Sequence, residues 1–298
     1  MSKLLLLFLS PVACQGQPGR ATVTYRATTP GVADQRSFFA IPDTGRCDFM
    51  KWKLTLHSDA AGNRPASFTL WREYGYYFDN RTDRSMGETT LQGNWDSVYL
   101  QTVSRSGVVY RLWHEKDSIL LWRLNDNLLH LVGTDLQLLA GSAAQSFTLS
   151  RMPLLPATIA TAAWQTADAG LLPGKDTIEF QGRTPCQELM ADQRIAASAD
   201  CFKLKWKILL FRDPQSGKPA GFSMRRVMSQ ANDLTGSWSL LRGTASDQNA
   251  LVVKLVSPAL AVPSYGQLGD GQVLFLLDQE GHLLPGNSEF SYTLNRIR

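Results

Sequence analysis

Short stretches of the chain alternate apolar and polar residues with a period of two. Residues 51–57 place Trp52, Leu54 and Leu56 at every second position, and residues 205–211 repeat this spacing. A period of two is typical of a β-strand with one buried face. Further short runs rich in branched and aromatic residues predict strands at 108–113, 119–124, 251–256 and 273–277.

The sequence contains the same domain twice. Residues 47–70 and 201–224 align without a gap, and nine of the 24 positions are identical. Three further pairs of similar segments follow the same order: 22–31 with 177–186, 91–95 with 234–238, and 146–151 with 291–296. This agreement indicates a duplication. Together with the strand pattern, it predicts a mainly β protein of two tandem homologous domains, each a small antiparallel β-barrel or curved sheet of about six to eight strands.

The repeat sets the expected domain boundaries. The first β domain is expected at 20–152 and its internal repeat at 176–298. Residues 153–175 between them are poor in charge and rich in Ala, Thr and Pro, which indicates a linker with a short helix near 159–166. A second helical stretch is expected within 187–197.

The first thirteen residues have the pattern of an export signal. Lys3 supplies the positive start, residues 4–9 form an unbroken apolar run, and Ala13 precedes Cys14. This run is shorter than the roughly 20 residues that span a bilayer. A buried N-terminal strand is the alternative interpretation.

A cysteine directly after such an apolar run resembles a bacterial lipobox. The resemblance implies cleavage before Cys14, a diacylglycerol thioether and palmitate on the new terminus, and residues 14–19 as a tether. Secretion without a lipid is the alternative. No Asp follows Cys14 at the next position, which by analogy with enterobacterial sorting favours the outer membrane.

Composition narrows the classes of partner. The 298 residues are 44% hydrophobic and 19% charged, which suits a packed core and excludes a disordered chain. The net charge of +4 is not gathered into a basic block, so a nucleic-acid partner is not expected. Four Cys and four His are too few for a zinc cluster or several haems, and no cofactor is expected.

Several short motifs together resemble those of the NlpE-like envelope lipoproteins, a group linked with copper resistance and envelope stress. They are the lipoprotein signal, an early Cys-containing segment, a Gly-x-Trp segment, a hairpin at 277–283 and a closing Tyr-x-Leu-x-Arg at 292–296. The resemblance implies a lipid-anchored β-barrel protein in the bacterial cell envelope, facing the periplasm. The group's Cys-x-x-Cys pair is absent here, so its metal site is not carried over.

The remaining cysteines predict one disulfide. An exported chain meets an oxidising compartment, so Cys186 and Cys201 are expected to be bridged. Cys47 is then left over. Its plainer interpretation is a buried thiol at the start of a strand. The alternative is a soft-metal site with Met50, because thiolate and thioether ligands suit Cu(I).

Enzymatic motifs are incomplete. Asp43, Thr44 and Gly45 have the form of an aspartic-protease triplet, but the repeat has no second triplet to supply the partner carboxylate. There is no Gly-x-Ser-x-Gly elbow for a serine hydrolase. We therefore expect no catalytic residues.

An aromatic segment distinguishes the first copy from the second. Trp71, Tyr74, Tyr76, Tyr77 and Phe78 fall within eight residues, and the repeat has no such cluster. They form either a strand covering its own core or a binding patch. The expected function is a non-enzymatic binding, structural or stress-sensing module with an envelope protein partner. A copper-binding lipoprotein is the alternative, and an enzyme with a site between the two domains is the second alternative.

Overall fold

The computed structural model describes most of the two domains. The residues it describes are 21–31, 35–59, 64–78, 83–102, 105–168, 171–172, 177–192, 200–227 and 233–297. The expected signal peptide at 1–13, Cys14 and the tether at 14–19 lie outside these residues.

The first domain is a closed antiparallel barrel, called barrel 1, with its strands in sequence order. Its eight strands are β1 (Thr22–Pro30), β2 (Phe49–Ser58), β3 (Pro65–Tyr77), β4 (Asp83–Gln101), β5 (Ser106–His114), β6 (Asp117–Arg123), β7 (Leu128–Val132) and β8 (Thr148–Arg151). The ring closes where Tyr25 of β1 pairs with Arg151 of β8.

The second domain, barrel 2, repeats this arrangement. Its elements are β9 (Gln165–Thr166), β10 (Ile178–Pro185), α1 (Gln187–Asp192), β11 (Lys203–Arg212), β12 (Pro219–Val227), β13 (Leu234–Arg242), β14 (Leu251–Val256), β15 (Ser264–Gly269), β16 (Val273–Leu277) and β17 (Thr293–Arg296). Pairing of β12 with β13 closes the ring, and β9 pairs with the far end of β13. Two tandem β-barrels of eight strands each confirm the predicted fold class.

Both barrels are filled by alternate side chains of their strands. In β2 the inward residues Met50, Trp52, Leu54 and Leu56 are buried. A buried Trp usually needs a partner for its N–H. Trp52 Nε1 donates to Thr29 Oγ1 at 3.0 Å in barrel 1. The equivalent bond in barrel 2 joins Trp206 and Thr184 at 2.9 Å, so the two copies share their interior architecture.

The connection after the first strand of each barrel covers one end of that barrel. In barrel 1 it buries Phe38, Phe39 and Ile41 in the core. Arg72 anchors it, donating from Nε to the carbonyl of Phe39 and from a terminal nitrogen to that of Ala40, both at 2.7 Å.

In barrel 2 the corresponding connection contains α1, which buries Leu189 and Met190 against the core. This helix lies within the expected helical stretch 187–197, and residues 193–197 of that stretch lie outside the described part. The Cys186–Cys201 disulfide joins the two ends of the connection, with Cα atoms 5.7 Å apart. The predicted bridge is confirmed.

The outer faces of the last strands of each barrel pack against each other. This interface contains Val109, Trp122, Leu128, Val132 and Leu138 from barrel 1, and Val252, Val273, Phe275, Leu277 and Leu283 from barrel 2. Strands β7 and β16 are therefore buried on both faces.

The interface is pseudo-symmetric. Ser146 Oγ lies 2.6 Å from Ser291 Oγ, and Thr148 Oγ1 lies 2.8 Å from Thr293 Oγ1, each residue meeting its own counterpart 145 positions away. Because successive outward residues meet in this way, a pseudo-twofold axis runs between β8 and β17.

The linker residues 153–168 are extended along the barrels. The expected helix near 159–166 is wrong: these residues contain no helix, and Gln165–Thr166 forms β9 instead. The linker's hydrogen bonds go to the barrels rather than along a helix. The amide of Ala162 donates to the carbonyl of Glu280 at 2.7 Å, and Trp164 stacks on Tyr265 with ring centres 4.9 Å apart.

Candidate functional site

The interior of barrel 2 leaves little space for a ligand. In barrel 2 the cavity between Trp206, Met224 and Leu255 is about 10 Å³. That is about the size needed for one water molecule. The outer surface is therefore the place to look for a binding site.

The interface between the barrels contains buried polar groups, several of which are paired, although Arg105 Nε has no partner among the described residues. Arg105 forms a buried ion pair with Asp270, and its guanidinium lies 4.2 Å from the centre of the Trp122 ring. His130 is fully buried, with Nδ1 2.8 Å from Thr148 Oγ1 and Nε2 2.9 Å from the Leu139 carbonyl oxygen.

The hydrogen bonds of His130 define a neutral imidazole. A carbonyl only accepts, so Nε2 carries the proton and Nδ1 accepts from the Thr148 hydroxyl. Burial lowers the pKa of His130 to about 4. Both nitrogens are occupied, so this histidine has no free atom for general acid–base chemistry.

Cys47 is half-buried at the start of β2. Its thiol donates to the Phe49 carbonyl at 3.5 Å. Burial raises the pKa of the Cys47 thiol, which disfavours the thiolate that binds metals. Met50 points into the barrel and is completely buried. The structure thus places the two candidate copper ligands in a thiol form and in the apolar core.

Gly31 occupies the position in barrel 1 that Cys186 occupies in barrel 2. A Cβ on Gly31 would lie 3.0 Å from Cys47 Sγ and 2.0 Å from the Cys47 carbonyl oxygen. The backbones approach closely here, where the second copy instead carries the disulfide.

The aromatic segment does not form one surface. Tyr74 points inward and is only 6% exposed, whereas Trp71 lies on the outer face of β3. Tyr76 lies under the Arg46 guanidinium, and the Tyr77 hydroxyl accepts a hydrogen bond from Gln145. Phe78, 59% exposed, is the one large apolar side chain of the five that is open to solvent. The contiguous patch considered from the sequence therefore does not include Tyr74.

One cluster has the composition of a metal site. Asp278, Glu280 and His282 bring ligand-type atoms within 4.8 Å of one another. His282 Nδ1 lies 2.9 Å from Asp278 Oδ2, and Nε2 lies 2.7 Å from the Ala160 carbonyl oxygen. Both ring nitrogens are thus used to attach the linker to the end of β16.

The pKa of His282 reflects these contacts. Burial alone would lower the pKa of His282, but the hydrogen bond and charge of Asp278, with the linker carbonyls, outweigh burial and raise it. Because both ring nitrogens face acceptor oxygens, neither points a lone pair towards a metal.

A polar depression lies on the outer face of barrel 1 and was not singled out from the sequence. Its volume is about 490 Å³. We call it the outer depression; its lining residues are His57, Ser67, Phe68, Thr69, Gln92, Gly93 and Asn94.

The pairing register of β3 and β4 builds the outer depression. Ser67 pairs with Asn94, and Thr69 pairs with Gln92, so the four polar side chains share the outward face. Gly93 between them pairs with the inward residue Phe68, and a Cβ there would lie 1.9 Å from the Trp113 carbonyl oxygen and 2.7 Å from the Phe68 ring. The strands therefore approach each other closely at this glycine.

Two tryptophans flank the outer depression. Trp71 follows Thr69 by two positions on the outward face of β3, and Trp113 of β5 pairs directly with Asn94. The Arg111 guanidinium lies 4.4 Å from the centre of the Trp113 ring and is paired with Asp96 at 2.8 Å.

No known protein family, curated protein or solved structure matches the chain. Among the described residues, no helix has the length and apolar character needed to cross a bilayer. The NlpE-like resemblance remains a prediction from the sequence.

Proposed function

We propose that the protein is a non-enzymatic binding module of the bacterial cell envelope. In this proposal Cys14 carries the lipid, and the two barrels face the periplasm from the outer membrane. A structural or stress-sensing role through an envelope protein partner belongs to the same proposal.

The observation that supports a binding role is the distribution of differences between the two copies. Shared features lie inside the barrels, such as the hydrogen bonds of Trp52 and Trp206. Differences are found on the outer face, where Trp71 of the first copy aligns with Arg225 of the second, and in the connections that cover the barrel ends. An outward residue that the fold does not need to keep is free to specialise in recognition.

The described residues offer little support for the two alternatives. A copper site would need an ionised Cys47, whose pKa burial raises, and a Met50 thioether that is buried in the core. An enzyme between the barrels would need several polar groups converging on an open site, but His130 uses both nitrogens and the unpaired Arg105 Nε is buried.

Metabolic labelling with a palmitate analogue tests the anchor. The full chain, expressed in a Gram-negative host, should take up the label and fractionate with the outer membrane. Cys14→Ser should lose the label, and Cys47→Ser, the matched control, should retain it. Export of an unlabelled wild-type chain into the soluble periplasm would contradict lipidation.

A further inference from the structure

We propose that the outer depression of barrel 1 binds a neutral oligosaccharide or polysaccharide chain. The proposal rests on the binding role proposed above and names the class of ligand for it. It depends on three features of the outer depression: unpaired hydrogen-bonding groups, absence of charge, and flanking tryptophans.

The first feature is a set of solvent-accessible polar side chains that no described protein group pairs with. Within the described part of the chain, the side chains of Ser67, Gln92 and Asn94 form no hydrogen bond. Each amide offers both a donor and an acceptor, and the serine hydroxyl does the same. Sugar hydroxyls also donate and accept, so they can pair with every one of these groups.

The second feature is neutrality. The described lining contains no Asp, Glu, Lys or Arg. His57 is engaged with Thr69, their Nε2 and Oγ1 atoms being 3.2 Å apart. An anionic ligand such as a phosphate would find no cation among these seven lining residues, and the nearby Arg111 is already paired with Asp96. An apolar peptide would leave the amides unpaired at a cost of about 1–3 kcal/mol each.

The third feature is the pair of tryptophans. The apolar face of a pyranose ring packs on a flat indole, which supplies contact area at low entropic cost. The Arg111 guanidinium covers one face of Trp113, so a sugar there would use the other face. From strand rise and spacing, Trp71 and Trp113 are roughly 16 Å apart. This separation fits a chain of several sugar units lying across β3, β4 and β5.

Barrel 2 provides an internal comparison, because its equivalent surface lacks these features. Phe211 aligns with His57, and Gly221 with Ser67. Thr235 and Ser237 replace the two amides, while Arg225 and the exposed Val256 replace the tryptophans. These positions of barrel 2 therefore serve as the internal control for the outer depression.

The test is titration of the detergent-solubilised full chain with cellohexaose, chitohexaose and maltohexaose. Binding is followed by calorimetry and by tryptophan emission. The double variant Gln92→Ala/Asn94→Ala and the single variant Trp113→Val remove recognition groups. The matched control is Thr235→Ala/Ser237→Ala at the equivalent positions of barrel 2. All the substituted side chains of barrel 1 point outward, so thermal unfolding should show each variant folded.

We expect at least one of the three oligosaccharides to bind, with affinity falling about tenfold or more in each barrel 1 variant and less than about twofold in the control. Absence of binding by all three at about 5 mM would overturn the proposal. Binding that the barrel 1 variants leave unchanged would also overturn it. Palmitate labelling is scored separately, so failure of the anchor and failure of sugar binding are distinguishable.

Discussion

His130 should make the protein less stable in mild acid. Its imidazole is buried in the interface between the barrels and hydrogen-bonded as the neutral form. Protonation would give Nδ1 a hydrogen that faces the Thr148 hydroxyl, whose oxygen already contacts Thr293 at 2.8 Å. The nearby Arg105 guanidinium also opposes a second positive charge.

The magnitude follows from the two pKa values of His130. Burial lowers the pKa from 6.5 to about 4 in the folded protein. Above pH 6.5 neither the folded nor the unfolded state binds the proton, and the full stability is present. As the pH falls from 6.5 to about 4, only the unfolded chain binds it. The free energy of unfolding then drops by about 1.4 kcal/mol per pH unit, to a total loss of about 3 kcal/mol.

Urea unfolding followed by tryptophan fluorescence at pH 7, 6, 5 and 4 measures this loss. Carboxyl groups also titrate in this range, so the measured quantity is the difference between wild type and His130→Gln. Glutamine can donate to Leu139 and accept from Thr148 without titrating. His57→Gln, which places the same substitution on the outer face, is the matched control. Equal pH dependence of wild type and His130→Gln between pH 6.5 and 4.5 would refute a buried neutral His130.

Three further predictions concern other contacts. Reduction of the Cys186–Cys201 disulfide, or Cys201→Ser, should lower the free energy of unfolding by about 3 kcal/mol because the bridge closes a 15-residue loop; an unchanged urea midpoint would contradict this. Gly31→Ala should destabilise the protein by about 1–3 kcal/mol, because its Cβ would lie 2.0 Å from the Cys47 carbonyl oxygen. Calorimetric melting measures this loss. Gly271→Ala, where a Cβ has space but φ is positive, is the comparison that separates backbone strain from the steric clash. The pKa of His282 is raised in the folded protein, so its contribution to linker docking is complete below pH 6.5 and is lost as the pH rises through the folded pKa. Protease cleavage within 153–168 should therefore accelerate from pH 6 to pH 9 in the wild type. The same rise in pH should not accelerate cleavage of His282→Gln.

The strands and the repeat could be predicted because both signals are local in the sequence. Alternation in residues 51–57 depends only on which face of β2 is buried. The interface between the two barrels is only weakly indicated by the sequence. All five residues of β7 are buried, and such a run indicates a strand covered on both faces, but the sequence alone does not say what covers it.

The linker shows where local preference failed. Residues 159–166 are rich in Ala and Thr, and their composition favoured a helix. Contacts with residues distant in sequence determine the extended conformation instead. The Ala162 amide donates to the Glu280 carbonyl, and Thr166 pairs with Leu241 in the sheet. Tertiary hydrogen bonds outweighed helix propensities of a few tenths of a kcal/mol per residue.

The outer depression could not be recognised from the sequence. Polar residues at outward positions of β3 and β4 are the default for an exposed sheet face. What sets them apart is the register that places Asn94 beside both Ser67 and Trp113. Comparing the outward positions of the two copies would have indicated this surface, because Gln92 of the first copy aligns with Thr235 of the second.

The pseudo-twofold interface has a consequence for how the two halves evolve. In a homodimer, a residue on the axis faces its own copy, so any substitution there appears twice. Here the rings at equivalent positions, His130 and Phe275, meet edge to face at 5.4 Å. No symmetric pair of identical chains could hold that mixed contact. Joining the barrels in one polypeptide frees each half of the contact to mutate alone, and the same freedom extends to every outward-facing position of each barrel.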